Sequence, residues 1–343
     1  MKELNNRLKS GEINKCYIFC GVEKYLIKSY EKRLLDAMYA DELASDMNTA
    51  EFIKDFSFAD IKNAAEAVSF TADKKLLIFR NTGLLQTGKK DLSDDLAGYI
   101  ETTHDNGNAV FLFIESEKMP DKRVKLYKTI TAPTRGLAVD FTTPPEAELV
   151  VWLARTLMAE GVNLQSGAGR FMLQYVCGSA VTDADAGIMH TLHTETLKLA
   201  AYVGAGGTAD TTDVQAVCTE CFDGKVFGLV KELGTKNGSA IVTLSNLLAQ
   251  KEAPLMLLSM IARQFRLLLI CKGLRDKGHP PTAIATATKL RDFMVRDYLT
   301  QSGSFSHKEL ADILTDVLQA ETNIKNGKME DRLALELLVI GNR

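Results

Sequence analysis

The stretch AAEAVSFTADKKLLIFRNTG, residues 64–83, decides how the first half of the chain is read. Ala64, Ala65, Ala67 and Val68 complete an apolar helical face. Ser69, Phe70, Thr71, Ala72 and Asp73 cannot continue it and form a short tip. After the basic pair Lys74-Lys75, Leu76–Phe79 are continuously apolar, the pattern of a strand covered on both faces. Helix, tip and buried strand in immediate succession mark a parallel sheet with helical crossovers. Phe70 is the anomaly, because helix-to-strand corners are usually polar and exposed. Two readings fit it: the ring folds back into the core, where aromatics are enriched, or it is displayed for a partner.

The same alternation extends in both directions. A short helix ends at Ser10 before Gly11, and Cys-Tyr-Ile-Phe-Cys (16–20) reads as a buried strand closed by Gly21. Residues 23–39 carry Leu26, Ile27, Tyr30, Leu34 and Met38 near helical periodicity. A short strand is predicted over 49–53, then a helix over 58–68 with Phe58, Ile61, Ala65 and Val68 on one face and Ser57 or Asp60 as its cap. Strands over 75–80, 109–114 and 137–141 alternate with helices over 92–101 and 123–130. Strands separated by helices predict a mainly parallel α/β sheet.

Thr142-Thr143-Pro144-Pro145 punctuates the chain. Beyond it every periodic segment is helical and no strand is predicted. A second break falls at 204–213, where glycines cluster. The resulting division is an α/β domain over 1–141, a small helical domain over 142–210 and a larger helical domain over 211–343.

Bulk properties restrict the function. The 343 residues are 46% apolar and 25% charged, an ordinary globular composition. A net charge of −3 supplies no global attraction to nucleic acid. The apolar runs near 255–270 are interrupted by Arg263, Gln264 and Arg266, so no membrane span is expected. The first fifteen residues lack the apolar core of a secretory signal, which predicts a cytoplasmic protein. Six cysteines fit a reducing compartment. Cys16, Cys20 and Cys271 lie in apolar stretches, while Cys218 and Cys221 form a single C-x-x-C. With only His190 and His193 nearby and no second cysteine pair, a metal site is not expected there.

An α/β domain followed by helical domains suggests a nucleotide-binding machine. A phosphate-binding loop needs spaced glycines and a Lys-Ser/Thr pair opening a helix. The turn after the first strand reads Gly21-Val22-Glu23-Lys24-Tyr25 instead. It lacks both features, and Glu23 would repel phosphate. Where a magnesium-binding carboxylate would end an inner strand, the chain has Arg80-Asn81. Glu115 and Glu117 end another strand and read as solvated charges. No G-x-S-x-G or H-E-x-x-H motif is present. No catalytic residue, metal or cofactor is therefore assigned.

Basic residues gather in the last third. Arg263 and Arg266 lie at i,i+3 beside an apolar face formed by Met256, Met260, Leu267 and Ile270, and Lys325 and Lys328 mark a late turn. They read either as stems packed over a helix bundle with their heads in water, or as weak, unspecific contacts to DNA phosphates.

Four segments in order carry a family resemblance: Gly21-x-Glu23-x-Tyr25-Leu26-Ile27, Ser69-Phe70-x-Ala72-Asp73-Lys74-Lys75-Leu76, the run from Pro254-Leu255-x-Leu257-Leu258 to Ile261-Ala262-Arg263-Gln264-Phe265-Arg266, and Ile324-Lys325-x-Gly327. Together they resemble the delta subunit of the bacterial DNA polymerase III clamp loader over essentially the full length. The resemblance implies an AAA+-like α/β domain without ATPase chemistry, a small helical lid and a helical collar used for assembly. It implies a replisome protein that binds the ring-shaped sliding clamp (beta) and holds one ring interface open. The companion motor subunits (gamma/tau) and delta prime are its implied partners, and primed DNA meets the complex.

In that family two adjacent bulky apolar residues plug a hydrophobic groove on the clamp. The resemblance places the clamp-binding element at Val68, Ser69, Phe70, Thr71 and Lys74. Phe70 matches the first plug position. Thr71 is polar where a second bulky residue is common, which leaves Val68 to share the contact. Lys74 and Lys75 read either as steering charges or as strand-edge charges. Two other functions fit less of the sequence: a nucleotide-dependent enzyme with a degenerate phosphate site, and a helical DNA-binding adaptor.

Overall fold

The computed structural model describes residues 1–69, 72–103, 108–178, 187–235, 238–249, 253–288, 290 and 292–341. The chain divides into two compact units, one of Met1–Pro145 with Asp183–His193, the other of Glu146–Thr182 with Thr194–Arg343.

The first unit is built on five parallel strands: β1 (Cys16–Cys20), β2 (Thr49–Phe52), β3 (Lys75–Arg80), β4 (Ala109–Glu115) and β5 (Gly136–Asp140), in the order β2-β3-β4-β1-β5. Helices α1 (Lys2–Ser10), α2 (Lys24–Met38), α3 (Glu42–Asn48), α4 (Phe58–Glu66), α5 (Lys90–Thr102) and α6 (Lys125–Ile130) complete it. The central strands read as unbroken apolar runs because both sheet faces are covered, and β1 and β4 are buried at every position. On one face Phe52, Phe79 and Phe113, from three adjacent strands, stack with ring centroids 5.0 and 4.8 Å apart. Burying each such ring contributes about 1.5–3 kcal/mol.

Two features of this unit differ from the sequence expectation. Helix α3 was not predicted. Its seven residues bury only Ala44 and Asn48, so it carries no apolar stripe, and it depends on Asp41, which accepts the Ala44 N–H at 2.8 Å. Helix α4 ends at Glu66 rather than continuing through Val68, and Ala67 turns extended with φ −61° and ψ 135°. Val68 therefore leaves the apolar face to which its spacing assigned it. At the other end of α4 both proposed caps act together: Ser57 Oγ accepts from the Asp60 N–H, and Asp60 accepts from the Ser57 N–H at 2.8 Å.

The second unit contains α7 (Glu146–Ala159), β6 (Asn163–Leu164), α8 (Ala168–Cys177), most of α9 (Met189–Val203), β7 (Thr208–Ala209), α10 (Thr211–Val217), α11 (Phe222–Gly234), α12 (Ser239–Ala249), α13 (Pro254–Asp276), α14 (Pro281–Thr288), α15 (Asp292–Ser302), α16 (His307–Lys325) and α17 (Asp331–Gly341). The parallel pair β6–β7 corrects the expectation of no strand after residue 142. Two residues per strand are too few for a periodic signal.

Helix α13 is central to the helical core and packs against α11, α15 and α16. Its buried stripe is Leu257, Leu258, Ile261, Phe265, Leu268 and Cys271, with the Gln264 amide accepting from the Tyr298 hydroxyl. Met256 and Ile270, assigned to the apolar face from spacing, are instead exposed. At 23 residues α13 is long and apolar enough to cross a membrane by length and composition alone. Its packed stripe is that of a bundle helix.

Candidate functional site

The two edges of the parallel sheet carry different chemistry. At the carboxyl edge, β1 ends in Gly21, whose φ of +121° and approach to the Phe141 backbone exclude a side chain; a Cβ there would lie 2.6 Å from Phe141 O. This turn delivers Glu23 into the interior, where it is 1% exposed. Glu23 Oε1 accepts from Thr143 Oγ1 at 2.7 Å and from the Ile188 N–H at 3.0 Å, and Oε2 accepts from the Met189 N–H at 3.1 Å. Backbone N–H groups at the start of a helix are the usual cradle of a bound anion. Here the start of α9 is taken by the protein's own carboxylate, so a phosphate at this turn would meet a buried negative charge.

Neighbouring strand ends are likewise engaged within the protein. Arg80 closes β3 and donates to Glu31 of α2 at 2.9 and 3.2 Å and to Glu51 of β2 at 2.5 Å. A guanidinium thus neutralises the acids at the strand end where a nucleotide machine needs a metal-binding carboxylate. Asn81, at φ 49°, accepts from the Ser116 N–H at 2.9 Å and ties the ends of β3 and β4 together.

Glu115 contradicts the expectation of a solvated charge. It is 3% exposed, its Oε1 has no hydrogen-bond partner, and burial followed by the nearby Glu117 charge pushes its carboxyl up to about 7. It ends a strand whose neighbours cover both faces, so alternation placed it inside rather than in water. No feature of its local sequence signals that.

The amino edge holds the tip. Val68 is 72% exposed. Ser69 Oγ lies 2.5 Å from Asn48 Oδ1 and 2.6 Å from Ala72 O, and it accepts from the Ala72 N–H at 3.3 Å. Asn48 is buried at the end of α3; its Nδ2 donates to Ala44 O at 2.8 Å, and its carbonyl accepts from the Tyr39 hydroxyl at 3.0 Å. Lys74 is exposed, and Lys75 enters β3 by donating its N–H to Asn108 O at 2.8 Å. A hollow of about 630 Å³ beside the tip is lined by Ala65–Ser69, Ala72, Asp73, Lys75, Tyr99, Thr102, Thr103 and Asn108. Phe70 and Thr71, the plug positions, lie outside the described residues. Asn48 was missed from sequence, since a lone Asn in Asp46-Met47-Asn48-Thr49 reads as loop.

Models of one family match both units. DNA polymerase III, delta subunit, matches residues 17–138, and DNA polymerase III delta subunit, C-terminal domain, matches residues 223–342. The chain belongs to the DNA polymerase III delta subunit family. It is similar to DNA polymerase III subunit delta of Bacillus subtilis, with 25% identity over 341 residues, 97% of this chain and 94% of that protein. Among solved structures it resembles the Bacillus subtilis DNA clamp loader delta protein, with a TM-score of 0.58 and 22% identity, covering 99% of this chain and 98% of that one. A more distant likeness, with a TM-score of 0.38 and 11% identity, is to the Thermotoga maritima RuvB Holliday junction branch migration motor, over 88% of this chain and 86% of that one.

The delta-family collar matches the part of the chain that holds the basic residues. Arg263 pairs with Asp223 at 3.7 Å, while Arg266, one turn on along α13, is exposed. Lys325 in the last turn of α16 pairs with Glu321 at 2.5 Å, and exposed Lys328 follows in the turn. Two of the four are thus already neutralised by carboxylates. The C-x-x-C of this delta-family member splits apart: Cys218 Sγ lies 3.8 Å from Glu195 O, and Cys221 Sγ lies 3.7 Å from Gln174 O. Burial pushes both thiols up to about 11. Among the described residues no three His, Cys, Asp or Glu side chains are grouped to hold a metal.

Proposed function

We propose that this protein is the clamp-opening subunit of a bacterial DNA polymerase III clamp loader. It binds the sliding clamp through the tip between α4 and β3 and holds one ring interface open. The motor subunits and delta prime supply the ATP-driven cycle, and primed DNA receives the clamp. The chain contributes contacts rather than catalysis and works in the cytoplasm as part of the polymerase holoenzyme. Within the second unit, residues 142–210 act as the lid and residues 211–343 as the collar that joins the ring of subunits.

Besides family membership, the observation that carries this reading is the exposed, braced tip. Val68 projects into solvent while Ser69 is held from Asn48 and Ala72. Such an arrangement presents a short apolar element without unfolding it. A single buried aromatic contributes about 1.5–3 kcal/mol, and a central plug acts as a hot spot. The clamp-binding element comprises Val68, Ser69, Phe70, Thr71 and Lys74. Replacing Phe70→Ala is expected to weaken clamp affinity by at least about tenfold, on the same magnitude, with an unchanged circular dichroism spectrum. Titration of labelled clamp with the variant checks this, and equal affinity would remove Phe70 from the contact. Arg266 and Lys328 are the collar positions proposed to face DNA, with Arg263 and Lys325 contributing only after release from their carboxylates.

A further inference from the structure

We propose that helix α3 forms a second part of the clamp-docking surface, with Leu43 and Met47 joining Val68 in contact with the same ring-shaped protein. This rests on the clamp-opening reading above. Among the exposed large apolar side chains described, Val68 and Leu43 are the two most exposed, at 72% and 69%, and Met47 is also exposed. Isolated exposed apolar residues are ordinary. These three are notable because the fold brings their elements together.

Helix α3 runs directly into β2, and the tip runs directly into β3. The two strands are parallel neighbours, with Thr49 opposite Leu76, so α3 and the tip stand at the same amino edge of the sheet. The Ser69–Asn48 hydrogen bond joins them. Leu43 and Met47 lie at i,i+4 on one stripe of α3; Ala44 and Asn48, at i,i+4 on the adjoining stripe, face inward. One side of the helix thus braces the tip while the next presents apolar surface beside it.

Charge selects the kind of partner. Asp41, Glu42 and Asp46 flank the α3 stripe, and Lys74 stands on the tip. An acidic border disfavours nucleic acid and anionic membranes, whose phosphates it would repel. It suits a protein surface with an apolar centre and basic residues facing α3. Size points the same way, because a stable protein interface needs on the order of 1,000 Å² or more, which a tip of a few residues cannot supply alone. Continuity with the tip commits the surface to the tip's own partner.

The test is titration of labelled sliding clamp with the full chain carrying Leu43→Ser and Met47→Ser, set beside Phe70→Ala. Both replaced side chains are exposed, so the thermal midpoint should not move. The expected result is clamp binding weakened about tenfold, mainly through faster dissociation. Wild-type affinity in the double variant with loss in Phe70→Ala would overturn the α3 surface and leave the tip assignment standing. Loss in the double variant with wild-type affinity in Phe70→Ala would do the reverse. Unchanged clamp affinity with failure to co-purify with the motor subunits would also overturn the proposal, assigning α3 to a neighbouring subunit.

Discussion

The carboxyl and amino edges of one parallel sheet have exchanged the roles usual for the fold class. Ligands of open α/β sheets normally bind outside the carboxyl ends of the strands. Here that edge is filled from within: Glu23 occupies the N–H groups opening α9, Arg80 is held between Glu31 and Glu51, and Asn81 pairs with Ser116. The amino edge, usually inert, carries the exposed Val68, Leu43 and Met47 around a braced turn. A closed carboxyl edge turns a nucleotide scaffold into a rigid mount, and an open amino edge gives that mount something to hold. The contrast fails if the carboxyl edge proves dispensable for stability or the amino edge proves inert.

The largest effect should come from Glu23. Its removal leaves the Thr143 hydroxyl and two N–H groups of α9 buried without their acceptor. Each lost buried partner costs about 1–3 kcal/mol, and partial relaxation limits the sum. Glu23→Ala should lower stability by about 2–4 kcal/mol, read as an earlier transition in urea. Clamp affinity measured well below that transition should stay at the wild-type value, because the tip lies at the opposite edge. Undiminished stability would mean that the carboxylate fills the turn without holding it.

Glu115 gives a smaller, pH-dependent effect at the same edge. Its folded carboxyl titrates at about 7, above the unfolded value of about 4.3. Between these values the folded state binds more protons than the unfolded state, so stability falls as pH rises through that window. The penalty is absent below about pH 4 and complete above about pH 7. Glu115→Gln should therefore stabilise the protein by ~1–3 kcal/mol at pH 8, with little change near pH 4. Parallel denaturation curves at the two pH values check this. An equal gain at both would trace the effect to packing rather than to charge.

Most of the sheet could be read from sequence, because doubly covered strands such as β3 and β4 leave uninterrupted apolar runs bounded by polar turns. Short elements could not. Helix α3 exists through one cap and one inward Asn, and β6–β7 through two residues each, none of which generates periodicity. Faces were misassigned where spacing continued beyond the real helix end, as at Val68, or where a helix is apolar nearly all round, as at Met256 and Ile270 of α13. The empty phosphate loop was legible at Glu23 because an acid in that turn is chemically wrong for phosphate. Its acceptance of N–H groups from residues 188 and 189 was not, because nothing local joins positions 165 residues apart. Glu115 was misread for a related reason: whether a strand-end acid is wet depends on what packs over it.

The smallest effect separates the two lysines at the amino edge. Lys75 is only partly exposed and starts β3, so its charge belongs to the strand end. Lys74 is exposed beside the tip, where it adds to the field met by an approaching partner. Charges of this kind act on encounter more than on the settled complex. Lys74→Ala should slow association with the clamp about two- to threefold at low salt and leave dissociation unchanged. At about 0.5 M salt the screening length is a few ångströms, and the variant should then associate as fast as the wild type. A rate difference that persists at high salt would assign Lys74 a direct contact in the bound state. No difference at any salt would make both lysines strand-edge charges and leave the apolar residues alone as the working part of this edge.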